Sequence, residues 1–279
     1  MNSTRVWFVT GASTGFGRAL VETVIGAGER VIAAARNPET VADLADRAPD
    51  QCRAVALDVA DAGSVKEGVA RGLAEFGRVD VLVNNAGRGL LGAVEECSDA
   101  EVRATFEVNF FGSLGVLREL LPQFRERKSG HIVQMGAAAA ISNYAGFGVY
   151  GAAKAAVSAM TESLAQELRP IGVNVTLVEP GPFRTDFIGR SMVRAGRKIA
   201  EYGATSGRFG QYLEKMDGKQ PGDAHRGAEA IVKLVQSGEA PLRLVLGRYA
   251  VDKTRRTFAT RERELARYEA VGVAADAGM

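Results

Sequence analysis

The chain holds few groups that could bind a soft metal or form a covalent staple: two cysteines and two histidines in 279 residues. Cys52 and Cys97 follow neither a Cys-x-x-Cys nor a metal-ligand spacing. That argues against a bound metal and makes a reducing compartment the simpler setting. His131 opens a strand pattern and His225 a helix pattern, and neither sits in a base or ligand motif. Apolar runs are short. None approaches the ~18 residues of a membrane span, and Val6-Trp7-Phe8-Val9 is too brief for a signal h-region, so a cytoplasmic protein without a membrane partner is expected. Charge of one sign is also missing. Lys+Arg 35 against Asp+Glu 33 leaves +2, which gives no clustered basic face for nucleic acid. No repeat and no proline- or glycine/serine-rich linker divides the first 180 residues. One α/β domain over residues 1–279 is therefore expected, a length that such domains reach as single units.

What the chain does have is alternation. Short apolar runs at Val6–Val9, Val31–Ala34, Ala54–Leu57, Val81–Val83, His131–Met135, Val173–Val178 and Leu242–Leu246 read as strands. Helical patterns fall at Gly15–Gly28, Ala60–Phe76, Asp99–Arg127, Tyr150–Leu168 and Asp223–Val235. Strands apolar on both faces, alternating with helices, predict a doubly wound parallel sheet covered on both sides. After Pro180-Gly181-Pro182 the alternation lapses. Residues 184–221 are polar, glycine-spotted and rich in arginine and aromatics, as a substrate lid would be. Residues 249–279 form a C-terminal extension. Its stretch Tyr249–Tyr268 reads as an amphipathic helix with Val251, Phe258, Leu265 and Tyr268 as packing points.

Two local patterns carry chemistry. Thr10-Gly11-Ala12-Ser13-Thr14-Gly15-Phe16-Gly17 follows the first strand and opens the first helix. Glycine permits a tight turn and close phosphate approach, and a helix N-terminus offers free amides to a pyrophosphate. A purely structural glycine turn is the alternative. The second strand ends Ala33-Ala34-Ala35-Arg36 without a carboxylate. An acidic residue there would bind a ribose 2′-hydroxyl, whereas arginine suits a 2′-phosphate. NADP(H) is therefore favoured over NAD(H), unless Arg36 is merely a solvated loop residue. In the second pattern, Tyr150 and Lys154 lie four apart and share a helix face. At ~4 Å and an effective dielectric near ~20, one ammonium lowers a phenol pKa by up to about 3 units. The expectation is a tyrosine able to trade a proton near neutral pH.

With these residues the chain resembles the short-chain dehydrogenases/reductases from residue 4 to about 250. The resemblance rests on the glycine turn, Asp58 in Leu57-Asp58-Val59, Asn84-Asn85-Ala86-Gly87, Asn109, the Tyr150/Lys154 pair, and Pro180-Gly181 with Thr185. It implies a Rossmann-like domain holding a nicotinamide dinucleotide. Gly11, Ser13, Gly15, Phe16 and Gly17 would take the phosphates, with Arg36, Asp58 and Val59 at the adenosine. Asn85, Ala86 and Gly87 would line the cofactor. Pro180, Gly181 and Thr185 would meet the nicotinamide, with Tyr150 and Lys154 at its ribose and reacting face. Tyr150, Lys154 and Asn109 would be catalytic, Asn109 by holding a water in a proton relay. Dimers or tetramers through the Asp99–Arg127 and Tyr150–Leu168 helices are implied as well.

One position departs from that pattern. The family places a serine thirteen residues before the tyrosine, where this chain has Ala137. Alanine has no hydroxyl. The options are a natural or deliberate loss of the serine, a substitute donor at Ser142 or Tyr144, a substrate needing no such donor, or a protein that binds cofactor without turnover. Ser142 is the preferred substitute. Tyr144, Phe147, Phe183, Phe187, Tyr202, Phe209 and Tyr212 gather in the flanking segments and predict a bulky apolar or aromatic substrate. Within this set the substrate residues are taken as Ala137, Ser142, Tyr144, Phe183 and Phe187, with no metal. The leading expectation is an NADP(H)-dependent oxidoreductase acting on a carbonyl or alcohol. The rival is a catalytically weak or inactive NADP(H)-binding sensor or scaffold on the same fold.

Overall fold

The computed structural model describes residues 4–276. Seven strands form one parallel sheet: β1 Val6–Thr10, β2 Arg30–Ala35, β3 Cys52–Ala56, β4 Val81–Asn84, β5 Gly130–Met135, β6 Val173–Pro180 and β7 Arg243–Leu246. Their order is β7-β6-β5-β4-β1-β2-β3. Side chains alternate across a strand, and each central strand feeds two cores. Trp7, Val9, Val31 and Ala33 face one apolar layer with the Gly15–Gly26 and Ala224–Ser237 helices. Phe8, Ile32 and Leu82 face the other, against the Ala62–Phe76, Gly112–Arg127 and Gly148–Leu168 helices. All five residues of β1 are buried, which is why the strand reads as an unbroken apolar run. The chain's direction of winding reverses between β1 and β4. In open α/β sheets a ligand binds in the crevice outside the strand ends at such a point.

The predicted elements differ from the structure in four places. The Asp99–Arg127 helix is interrupted by a π-helical turn at Glu107–Phe111. A 3₁₀ turn at Pro38–Val41 and a short helix at Ala42–Arg47 fill the connection between β2 and β3. The 184–221 segment is more ordered than an irregular lid. Its Met192–Arg194 pairs in parallel with Gly89–Leu91, its Arg208–Met216 is helical, and Phe183–Arg184 pairs with Gly222–Asp223. The tail is a helix at Arg248–Val273, but Phe258, Leu265 and Tyr268 are exposed instead of packed. Only its first turns, through Ala250 and Lys253, bury side chains against the domain. The expected extension to residue 279 runs past the described residues. Among the described residues no helix is long and apolar enough to cross a membrane.

Candidate active site

The carboxyl ends of the central strands open into a cavity of 570 Å³. At the end of β1, Gly11 and Gly15 have positive φ, +64° and +55°. A Cβ on Gly11 would sit 2.9 Å from the Ala86 Cα, and one on Gly17 would sit 2.1 Å from the Gly11 carbonyl oxygen. Gly17 is buried beneath the turn and off the cavity wall, where it lets helix and turn pack closely. Thr10 and Asn85 tie β1 to β4. The Thr10 hydroxyl accepts from the Asn85 and Ala86 amides at 3.0 Å each. The Asn85 side-chain amide donates to the Thr10 and Gly11 carbonyls at 2.9 and 3.2 Å. Asn85 thus shapes the turn, a role that fits its place on the wall, and Thr10 was not singled out from sequence. Among the described residues, no side chain caps the Gly15–Gly26 helix, and its first turn carries no acidic residue. Free amides and a positive helix end therefore face the cavity, and this cradle fits a dinucleotide pyrophosphate.

Ser13, Gly15, Phe16, Ala86 and Gly87 line the same cavity, as do Pro180, Gly181 and Thr185. Gly15 meets Thr185, with 3.2 Å from a would-be Cβ to the Thr185 Cβ. Arg36 is exposed at the lip, and Asp58 and Val59 lie on the wall. The Asp58 carboxylate also accepts from the Ala60 amide at 3.0 Å, the turn-capping use open to any aspartate. Asn84 is buried below and donates to the Ser113 carbonyl at 3.2 Å.

Asn109 sits in the π-helical turn, a device frequent at functional sites. Its amide nitrogen donates to the Arg88 and Thr105 carbonyls, both at 2.8 Å, and its oxygen accepts from the Arg88 amide at 3.3 Å. A Cβ on Gly87 would lie 2.9 Å from that oxygen and 3.5 Å from the Lys154 ammonium. Glycine there keeps both groups reachable. Lys154 donates to the Met135 carbonyl at 2.7 Å. Tyr150 and Lys154 both line the cavity and are 6% and 5% exposed.

The expected acidification of Tyr150 is not what the protein alone produces. Burial pushes the phenol well above its ordinary value, and burial pushes the Lys154 ammonium down to about 8. Desolvation penalises the charged form of each group, and it is the cause of both shifts. The i,i+4 spacing brought the two groups to one cavity, but spacing says nothing about depth. His131 is likewise held neutral. Burial lowers it to about 4, and its Nε2 meets the Thr176 hydroxyl at 2.9 Å.

On the other side of Tyr150 stand aromatic rings. Phe147 and Phe187 lie 5.3 and 5.5 Å from it, Phe209 lies 4.9 Å from Phe147, and Tyr144 stacks on Phe209 at 4.9 Å. Ala137 is on the wall. Two of the expected residues lie off the cavity, and a third, Phe183, is on its wall at the cofactor end. Ser142 ends the short Ala138–Ile141 turn, half-buried and off the wall, because that turn carries it away. Tyr202 is also off the wall and donates to Glu95 at 2.7 Å. Phe183 packs on Phe16 at 4.8 Å, above the glycine turn. Gln220, Tyr249 and Lys253 line the cavity without having been singled out. Their sequence signal is weak, since a lysine on a charged helix reads as solvated. Among the described residues there is no metal-binding cluster.

Residues 5–193 match the short chain dehydrogenase family. The chain belongs to that family. An oxidoreductase of Botryotinia fuckeliana is 37% identical over 250 residues, 89% of this chain and 91% of that protein. A short-chain dehydrogenase of Streptomyces avermitilis superposes with a TM-score of 0.92 at 41% identity, covering 99% of this chain and 100% of the other. Two further similar structures carry dinucleotides. One is a short chain dehydrogenase/reductase of Burkholderia phymatum in complex with NAD, with TM-score 0.79, 26% identity and coverage of 90% and 92%. The other is a serine dehydrogenase with NADP+, with TM-score 0.73, 28% identity and coverage of 86% and 94%. This chain is thus an oxidoreductase of the short-chain dehydrogenase fold, with structural neighbours that bind NAD or NADP.

Proposed function

We propose an NADP(H)-dependent oxidoreductase that interconverts a carbonyl and an alcohol on a bulky apolar or aromatic substrate. The observation that carries this reading is the shared cavity. The glycine cradle, the buried Tyr150 hydroxyl and the aromatic rings open into one space. A dinucleotide whose pyrophosphate lies in the cradle would supply or accept the hydride through its nicotinamide. Arg36, at the lip beyond β2, is the residue for a ribose 2′-phosphate. Burial keeps the Tyr150 phenol protonated at neutral pH, so it holds a proton to give, although the raised pKa makes it a weaker acid than a free phenol. Tyr150 would give its proton to the carbonyl oxygen in reduction and take it back in oxidation, and the preference for NADP(H) tilts the proposed direction toward reduction. Lys154 is anchored by Met135 and mostly charged near neutral pH. It would steady the phenolate that remains and return a proton to it, itself reprotonated from solvent through a water held by Asn109. The rings of Phe147, Phe187 and Phe209 position the substrate and exclude water. By analogy with the family, a cytoplasmic homodimer or homotetramer is the assembly proposed.

Steady-state NADPH oxidation with a panel of aromatic aldehydes and ketones tests this. Tyr150→Phe should lower kcat by about 100-fold or more, the range of general acid catalysis, while NADPH binding by fluorescence stays intact. Activity indifferent to the exchange overturns the assigned role. Tight NADPH binding with no turnover on any carbonyl supports a cofactor-binding sensor instead, the reading that Ala137 keeps open.

A further inference from the structure

The cavity ends in polar groups that the proposed chemistry does not use. Lys253, on the second turn of the C-terminal helix, is 8% exposed, and Gln220 is 3% exposed. Among the described residues, the Lys253 ammonium has no hydrogen-bond partner, nor does either amide atom of Gln220. Both side chains line the same cavity as Tyr150. Lys253 stands over the Tyr144 ring, 3.6 Å from its centroid. The Tyr144 hydroxyl in turn meets that of Tyr249. A buried ammonium without a partner is costly, and a cation–π contact replaces only part of its lost hydration. The whole cavity is also cationic. Arg36, Arg88, Lys154, Arg190 and Lys253 line it against only Asp58 and Asp186. From Tyr150 to Lys253 runs a ladder of rings, Phe147, Phe209 and Tyr144, each in contact with the next.

Resting on the reductase reading, we propose that Lys253 anchors a carboxylate on the substrate, so that the preferred substrates are aromatic carbonyl acids. The acid group sits at Lys253, the apolar body lies along the ring ladder, and the carbonyl reaches Tyr150. One ammonium among phenols and aromatic faces suits a single negative charge. A doubly charged phosphate would be left with fewer charge-assisted donors at this end of the cavity than it can use. Gln220 offers both a donor and an acceptor to a further polar atom on the ligand.

A matched pair of substrates tests the assignment. Para-carboxybenzaldehyde and para-tolualdehyde, each with its biphenyl homologue to match the length of the ring ladder, differ chiefly in the charge. In the unaltered protein kcat/KM should favour the acid by about 10- to 100-fold, the worth of one charge-assisted hydrogen bond. Lys253→Met should abolish that preference through KM, with kcat for para-tolualdehyde held within about threefold. Because the exchange removes an unpartnered buried charge, it should not lower the melting temperature. Calorimetric binding of para-toluate, without NADPH, is a readout independent of turnover. It should be seen in the unaltered protein and lost in Lys253→Met. Equal kcat/KM for the two aldehydes overturns the proposal, as does a preference that survives Lys253→Met but disappears in Arg88→Met. If no aldehyde is reduced yet para-toluate binds through Lys253, the reductase reading fails and the anion site stands. If both aldehydes are reduced equally and para-toluate does not bind, the reverse holds.

Discussion

Restoring a serine at Ala137 should act on two observables at once. Ala137 is 7% exposed on the cavity wall. It is also the N-cap of the Ala138–Ile141 turn, with extended backbone at φ −166° and ψ 151° and no side-chain cap. A serine hydroxyl added there has one hydrogen and two lone pairs. It can accept from a free amide of the turn and still donate to a substrate oxygen. The first interaction replaces alanine at an N-cap by a preferred residue and is worth about 1 kcal/mol. For a domain of this size that raises Tm by about 2 °C. The second adds a donor where negative charge develops, worth about 100- to 1,000-fold in kcat, or roughly 3 to 4 kcal/mol of transition-state stabilisation. Thermal melts and NADPH oxidation on the same preparation of Ala137→Ser separate the two effects. A higher Tm with unchanged kcat would show the hydroxyl present and capping while no developing oxyanion lies within its reach. That outcome refutes the placement of the reacting carbonyl beside Ala137. A fall in kcat would show instead that the alanine methyl packs against substrate, and that the chain is adapted to lack the donor.

Arg36→Asp should shift the ratio of kcat/KM for NADPH over NADH toward NADH by about 10- to 100-fold, since one charged contact is exchanged for repulsion. Because Arg36 is exposed, the shift should shrink as ionic strength rises; an unchanged ratio removes Arg36 from the phosphate role. Lys154 predicts a pH dependence of stability. Its folded pKa, about 8, lies below the ordinary lysine value of 10.5. Between those values the unfolded chain binds more protons, so the penalty of burying the ammonium is full below pH 8 and fades as pH rises. Unfolding free energy should therefore gain about 2 kcal/mol from this residue between roughly pH 8 and pH 10. Above that window, ionisation of Tyr150 in the unfolded chain acts in the opposite direction. Urea melts across the window check this. Lys154→Met should flatten the slope beyond what Lys253→Met alone removes, since Lys253 is lowered to about 8 by the same cause. Equal slopes with and without Lys154 contradict its burial as a cation.

Much of the cofactor half was legible because its determinants are local. The five inner strands bury both faces, so each shows as an apolar run between turns, the edge strands β3 and β7 less fully, and the observed strands fall within two residues of the predicted ends. The glycine turn needs its positive φ values at fixed offsets from β1, and Tyr150 and Lys154 need one helix face. The substrate half is built by contacts across long sequence separations. Gly89–Leu91 and Met192–Arg194 are strands of three residues, too short for a periodic signal, and exist only because they pair with each other. Phe258, Leu265 and Tyr268 looked like packing points because periodicity marks an apolar stripe without saying what meets it, and here all three are exposed. Lys253 was hidden for the converse reason. In a helix rich in arginine and glutamate, one more charge reads as solvent-facing, and only the fold shows that the second turn of that helix closes the cavity. The same limit explains the tyrosine. Spacing predicts that two groups meet, whereas their protonation depends on how much of the rest of the chain covers them. For Tyr150 that covering comes from Phe147 and from Phe187 in the distant 184–221 segment. Changes in that segment should therefore retune the proton donor as well as the choice of substrate.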